Sequence, residues 1–489
     1  MSVATLQSTN RVKISKVRET TFGVTPTNPA FKTLRMTGSD LNANPKTTTS
    51  NEIRSDRQLA DLILIGAEAG GGIDKEVSFQ ALDDDFEEAL LTAWVAKASI
   101  VVVTLDTEIS DVSTTTLTVA SGGASFKTGM LTLMSGFTTS ANNKIARVSS
   151  STATTVVYPA STFTAEAAAI PVGATLRHVG FQGASADITA TASGLGSTAL
   201  DFTTLNLVVG EWVKIGGSAA GDQFATAANN GWARISAIAA TALTFDVLPT
   251  GWTTDTGTGK TIKVWIGDYA RNGTTLNSNT IERQYLDQSP VSYESLTGMC
   301  LNTLAFDVAA EQIFKAKLSY IGKSGTTSTS RASGATDTAA PTNNVLNAST
   351  NVGRIAVNGV AVTGPNYVMS SMVTINNNLT ALQAVGAMGA IGVGIGEFNV
   401  SGTLNTYFGD TTNFSYVMAN TALSYDFRIG DASGNKPTYV FDLPRIKFSS
   451  GAPSVPGKNQ QVMLPLNFQA ILHPTLGYTM HIGRHWYTE

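Results

Sequence analysis

The sequence predicts a mainly β fold with one flanking α-helix and an inserted pair of small duplicated β-domains. Three observations carry that prediction. Leu304, Phe306 and Val308 alternate with Thr303, Ala305 and Asp307, and after a break Phe314, Ala316, Leu318 and Tyr320 alternate with Lys315, Lys317 and Ser319. Period two places one set in a core and the other in water, the pattern of a β-hairpin. From about Ser99 to Tyr269, short Thr/Val/Ala runs are punctuated by Gly and Asn, and blocks of that pattern occur twice. One helical stripe stands out: Phe86, Leu90 and Trp94 at i, i+4 and i+8, predicting a helix over Asp83–Lys97.

In order along the chain, the segment Glu19–Pro26 carries Gly23 and Pro26 and reads as a turn or an extended arm. Phe31–Met36 is a short alternating strand. After a polar loop to Asn51 and the charged block Glu52–Arg57, Leu62, Leu64 and Gly70–Ile73 lead into a strand at Lys75–Phe79. The predicted helix opens with Asp83, Asp84 and Asp85, where free N–H groups and the helix dipole favour negative charge. A calcium loop would need alternating oxygen ligands around a central Gly, which the cluster lacks.

The duplication rests on three blocks in the same order. Gly129–Gly136 matches Gly210–Gly217, Asn142–Ser149 matches Asn229–Ser236, and Thr175–Gly180 matches Thr261–Gly267. Arg147 and Arg234 hold equivalent positions and read as framework residues. Trp212, Trp232, Trp252 and Trp265 fall in the second copy alone. They suit the core of a small sandwich, with a carbohydrate-stacking platform as the alternative. Ser324–Gly353 has few large apolar residues and reads as a long mobile loop, ordered on contact with a neighbour. Strands are expected at Arg354–Val362, Tyr367–Asn376, Glu397–Phe408, Ser424–Ile429, Tyr439–Leu443, Ile446–Phe448 and Gln461–Ala470. The expected boundaries are residues 1–100 and 273–489 for one β-domain in two parts. Residues 101–272 form the insert, with modules at about 112–182 and 198–270.

Composition narrows the function. Charged residues are 14% of the 489, against about a quarter in an average soluble protein. So few charges fit a protein that buries much of its outside against copies of itself, and fit equally a Thr/Ser-rich β-protein that is merely soluble. The net charge of −4 gives no basic footprint for gripping nucleic acid. The single cysteine, Cys300, excludes an internal disulfide framework and reads as a buried small hydrophobe. The opening residues lack a signal-peptide pattern and no apolar run spans a bilayer, so the expectation is a chain made and kept in a cytoplasm, or in particles assembled there, without membrane insertion.

Candidate chemistry is sparse, and the chain reads as a non-enzyme without cofactor or metal. The Gly386–Gly396 stretch lacks the strand–loop–helix setting of a phosphate loop, because a strand follows it. His481 and His485 lie in strand-like sequence with no third ligand nearby, and no Gly-x-Ser-x-Gly elbow occurs.

The segments outside the insert resemble the major tail tube proteins of long-tailed, siphovirus-type bacteriophages. The resemblance rests on Glu19–Pro26, Leu34–Gly38, Ser50–Arg57, the acidic Asp83–Trp94 segment, Ile281–Arg283, Leu296–Met299, Asn302, Gly322-Lys323, Asn377–Leu379 and Gly402–Leu404 with Tyr407-Phe408. It implies a β-sandwich whose inner sheets, with those of five other subunits, close into a barrel around a channel. Rings then stack head to tail into the tail tube of a virion assembled in the host cytoplasm. The partners implied are copies of itself, a tape measure protein in the lumen, passing double-stranded DNA, and tail terminator and distal tail proteins. On this reading Thr21, Phe22, Gly23, Thr25 and Pro26 form a candidate inter-subunit arm. Thr303, Asp307, Lys315, Lys317 and Ser319 are candidate lumen-lining residues, with the opposite face of the hairpin as the alternative because Lys315 and Lys317 are basic. The insert is expected on the tube exterior. A surface adhesin or carbohydrate-binding module, suggested by the tryptophans, is the competing function.

Overall fold

Six strands make one layer of the fold: β1 (Leu62–Glu76), β2 (Ser292–Ala309), β3 (Lys315–Gly322), β4 (Val368–Asn376), β5 (Asn399–Tyr407) and β6 (Met463–Ala470). The structure is a computed structural model that describes residues 6–167, 169–431 and 434–489. The strands are hydrogen-bonded in the order β1–β3–β2–β4–β5–β6, each neighbour antiparallel. Alternate residues of β3, β5 and β6 are buried, so the sequence period becomes a two-faced sheet. The register Thr303↔Ser319 and Asp307↔Lys315 realises the expected hairpin.

A second layer covers the apolar face. It contains Ala422–Gly430, Val352–Val357, His481–His485 and Asp268–Arg271, tied together by the long strand Thr438–Gly451, which also pairs with β6. Between the layers Phe306 lies 5.3 Å from Phe441, Phe427 stacks on Phe441 at 4.5 Å, and Tyr425 sits 5.3 Å from Phe468. Burying each such ring is worth about 1.5–3 kcal/mol, so this seam holds the sandwich shut. Gly402 on β5 is crowded by the neighbouring strands β4 and β6. A Cβ there would lie 2.3 Å from the Met372 carbonyl and 2.4 Å from the Phe468 ring.

Helix α1 spans Asp83–Leu90 and closes one side of the core with Phe86, Ala89 and Leu90. It is shorter than the predicted Asp83–Lys97 because Leu91 turns left-handed (φ 50°) and ends it. Trp94 keeps its place beyond the end, its indole Nε1 donating to the Asp83 carbonyl at 3.0 Å. A second short helix, α2 (Thr412–Met418), packs near the strand Thr438–Gly451; seven residues are too few to show a helical period in sequence. Ser324–Gly353 also departs from expectation. It contributes strands at Ser324–Ser328 and Thr336–Thr338, and Arg331 fastens it through Glu282 at 2.8 Å and Asp337 at 2.6 Å. Ion pairs within the subunit order what composition alone suggested was mobile.

Residues 99–265 build a ten-stranded and a five-stranded sheet around a separate apolar cluster that includes Phe126, Leu176, Phe181, Phe202 and Val264. Corresponding bonds recur in the two halves of this unit. Asn143 Oδ1 accepts from Phe137 N and Asn230 Oδ1 from Phe224 N, both at 2.9 Å. Asn142 and Asn229 hold the later strand of each copy through Thr164 and Thr253. The copies join where Thr175–Gln182 pairs with Lys263–Trp265. Gly180 permits that contact, since a Cβ there would lie 2.3 Å from the Val264 carbonyl.

Candidate functional site

The outer face of the six-strand sheet is mostly polar. Reading across the strands, Asp74, Lys317, Ala305, Thr374, Ser401 and Gln469 form one row. A second runs Gly72, Ser319, Thr303, Asn376 and Asn399, and a third Glu76, Lys315 and Asp307. The structure therefore brings the five sequence-named residues Thr303, Asp307, Lys315, Lys317 and Ser319 onto one face. The sequence reading missed its continuation through Thr374, Ser401, Thr403, Asn405, Asn467 and Gln469. The signal was present, since each alternates with a buried apolar residue or Gly402.

The electrostatics of the face follow from register. Lys315 stands between Glu76 and Asp307, and Lys317 stands opposite Asp74. Strands β4, β5 and β6 carry no charged residue at all. Two lysines flanked by three carboxylates leave the face near neutral, so it offers a phosphate chain nothing to hold. The opposite face of the hairpin, the alternative raised by the lysines, is filled core: Leu304, Phe306, Leu318 and Tyr320 are each at most 3% exposed.

Thr21, Phe22, Gly23, Thr25 and Pro26 do not form an extended arm in the subunit. They fold as a tight turn around the buried Glu19 carboxylate, which accepts from the backbone of Gly23 and Gly298 and from Ser278 and Thr280 at 2.7–2.9 Å. Thr25 bonds Thr280 at 3.0 Å. The elements that do project were not singled out by sequence. One is the hairpin of Asn42–Thr49 with the start of β1, where Leu62, Ile63, Leu64 and Ile65 are all exposed. The other is Thr380–Leu382 paired with Gly392–Gly394, carrying exposed Val385, Met388 and Ile391. An apolar run reads as core when only periodicity is available, and here it lies outside.

Two buried charge clusters hold these elements in place. Lys16 Nζ donates to Asp85 at 2.8 Å and Glu88 at 2.7 Å, and Lys75 Nζ donates to Asp85 at 2.5 Å. Burial pushes the Asp85 carboxyl up, but the two lysines outweigh it and hold Asp85 below the usual range. For Glu88 burial wins over Lys16, and its carboxyl is raised. The cluster ties α1 to β1 and to the strand Val12–Arg18.

The second cluster fastens the 99–265 unit to the rest. Arg234 donates to Asp442 at 3.0 and 3.1 Å and to Asp246 at 2.9 and 3.0 Å. Burial raises the Asp442 carboxyl to about 6, against the pull of Arg234. Trp212 and Trp265 are fully buried and Trp232 is half-buried against His485. They are therefore seam residues and present no open stacking platform. Arg147, the counterpart of Arg234, donates to the Gln182 carbonyl at 2.8 Å. His481 and His485 lie in the same seam, and burial pushes the His485 imidazole down to about 3. Cys300 is buried, its thiol pushed up to about 12 by burial. Among the described residues, no three His, Cys, Asp or Glu side chains are grouped to hold a metal ion, and no helix is long and apolar enough to cross a membrane.

No curated protein sequence matches the chain. The family profile described as phage tail tube protein matches it twice, over residues 9–264 and 241–470. Those matches take in both the six-strand sheet with its neutral face and the duplicated unit. The chain belongs to the phage tail tube protein family, a structural component of the virion tail.

Proposed function

We propose that six copies close into a ring, that rings stack head to tail into a hollow tube, and that the polar face of β1–β6 lines the channel through which the genome passes. The observation that carries this reading is the face itself: a wide, rigid, nearly uncharged sheet backed by a complete core. A conduit for DNA needs walls that are wet but not basic, because each lysine–phosphate contact would retard passage. Neutral polar rows of Thr, Ser, Asn and Gln meet that need. The 99–265 unit docks on the layer behind the core, through Val440 and Asp442. Turning the polar face inward therefore puts that unit on the tube exterior, as an insert between 1–100 and 273–489.

During assembly in the host cytoplasm the same channel would hold a tape measure protein, and the tube ends would meet tail terminator and distal tail proteins. A flexible, siphovirus-type tail is the setting this reading favours. The lining is tested with single cysteines at Thr374, which faces the proposed lumen, and at Val172, which is exposed on the 99–265 unit. In assembled tubes a 5-kDa thiol-reactive polymer is expected to label position 172 fully and position 374 at least ~10-fold more slowly. Equal rates at both sites would reject the inward assignment.

A further inference from the structure

A small cleft opens in the seam between the 99–265 unit and the rest of the subunit. Lys214 and Trp232 stand opposite each other on paired strands of the unit, so their side chains project to one face. Arg428 and Gly430 are two apart on the strand Ala422–Gly430, with Thr438 opposite Gly430, so these share a face as well. The two sets meet around a space of about 190 Å³. That is less than the roughly 300–1,000 Å³ of sites that take drug-sized molecules, and it suits an ion of a few atoms.

Arg428 says which kind of ion. Its side chain is only 5% exposed, yet among the described residues neither Nε nor Nη2 has a hydrogen-bond partner. Asp426 Oδ2 lies 3.6 Å from Nη2, outside hydrogen-bonding range, and the other Asp426 oxygen is taken by Arg354 at 3.0 Å. Two guanidiniums thus share one carboxylate. The Trp232 ring lies 4.8 Å from the Arg428 guanidinium carbon; it supports the group without satisfying its N–H donors. Nε and Nη2 form one edge of the planar fork, the edge that takes two oxygens of a single anion.

Lys214 supplies a second cation from the other side of the seam. Its Nζ donates to the carbonyls of Thr488, at 2.9 Å, and Glu489, which leaves one of its three N–H groups. Burial and the nearby Lys436 push the Lys214 ammonium down to about 8, against the pull of Glu489. Burial also pushes Arg428 down, Arg354 adding to it and Asp426 opposing. Each charge is therefore held at a cost that a bound anion offsets. Asp431 is the one carboxylate on the wall, and it accepts from Asn344 at 3.2 Å.

We propose that this cleft binds a tetrahedral oxyanion, phosphate or sulfate, held by the Nε–Nη2 edge of Arg428 on one side and by Lys214 on the other. The anion joins the 99–265 unit to the rest of the subunit. Arg234 and Arg428 lie against the same Trp212 ring, at 5.9 and 5.6 Å, so this fastening is next to the Arg234–Asp442 pair. The inference goes beyond the tube reading and does not depend on it.

The test uses the full chain before assembly, dialysed into chloride buffer at pH 7 and titrated in a calorimeter with inorganic phosphate and with sulfate. Saturable binding at one site per chain is expected, with Kd below about 1 mM, and a rise in Tm that follows the same saturation. Arg428→Lys keeps the charge and loses the fork, and Lys214→Gln removes an ammonium that bonds only carbonyls. Each is expected to weaken binding at least ~10-fold, while Lys127→Gln, at an exposed position of the same unit, leaves it unchanged. If Arg428→Lys does not fold, Lys214→Gln carries the comparison alone. Phosphate binding more tightly than glycerol 2-phosphate assigns a free ion, and the reverse order assigns the phosphoryl end of a larger molecule. No saturable heat with either anion, or binding and a Tm rise that persist in both variants, overturns the site. The tube reading is untouched by that result, since it is decided by whether tubes form.

Discussion

Replacing Lys16 with Met is expected to destabilise the subunit by about 3–5 kcal/mol. The figure follows from what stays behind. Asp85 and Glu88 are each at most 3% exposed, and removing Lys16 leaves Lys75 as the only cation against two buried carboxylates. Among the described residues, Lys16 is the one ion-pair partner of Glu88, and that pair is lost. Urea denaturation at pH 7 measures the loss. A companion variant, Lys16→Met with Glu88→Leu, removes the orphaned charge with the cation and is expected to recover most of it, because a buried pair exchanged for apolar groups is near neutral. A double variant no better than the single would mean that volume, not charge, governs the site. The cluster also anchors β1, since Lys75 lies on that strand.

Arg234→Met is expected to cost a similar 3–5 kcal/mol at pH 7, with a pH dependence that identifies its origin. Asp442 is fully buried and loses the guanidinium that compensates it. In the native protein burial has already raised its carboxyl to about 6, above the roughly 3.9 of a free side chain. A carboxyl raised on folding binds its proton more tightly in the folded state. Its contribution to stability is therefore greatest below pH 4 and is lost as pH rises through 6. Without Arg234 the raised value climbs further, so the penalty at pH 7 is expected to shrink markedly at pH 5, where Asp442 escapes by protonation. Tryptophan fluorescence reports directly, with Trp212 and Trp232 beside the site. A penalty equal at both pH values would show that the loss is one of packing.

How much of this was legible in the sequence depended on whether neighbours in space were neighbours in the chain. The β2–β3 hairpin was readable because its partners are a few residues apart and its period is strict. The duplication was readable because both copies kept their Asn-Asn turns. Neither the register that neutralises Lys315 and Lys317 nor the cage around Arg234 has a local signal. Glu76 lies more than two hundred residues from Lys315, and Asp442 as far from Arg234. The Glu19–Pro26 segment left two readings open: Gly23 and Pro26 announced a turn or an arm, and the carboxylate of Glu19, satisfied by groups from distant strands, holds the turn within the subunit. Leu62–Ile65 misled for a physical reason as well, since a run of four apolar residues is ordinarily core. Here all four are exposed.

Electron microscopy of the concentrated, purified protein tests the central claim most directly. The account predicts hollow tubes with six-fold end views and regular cross-striations from the stacked rings. The duplicated unit should appear as knobs on the outer wall. Solid or globular particles that persist as single copies, or tubes with the duplicated unit inside the bore, would contradict it.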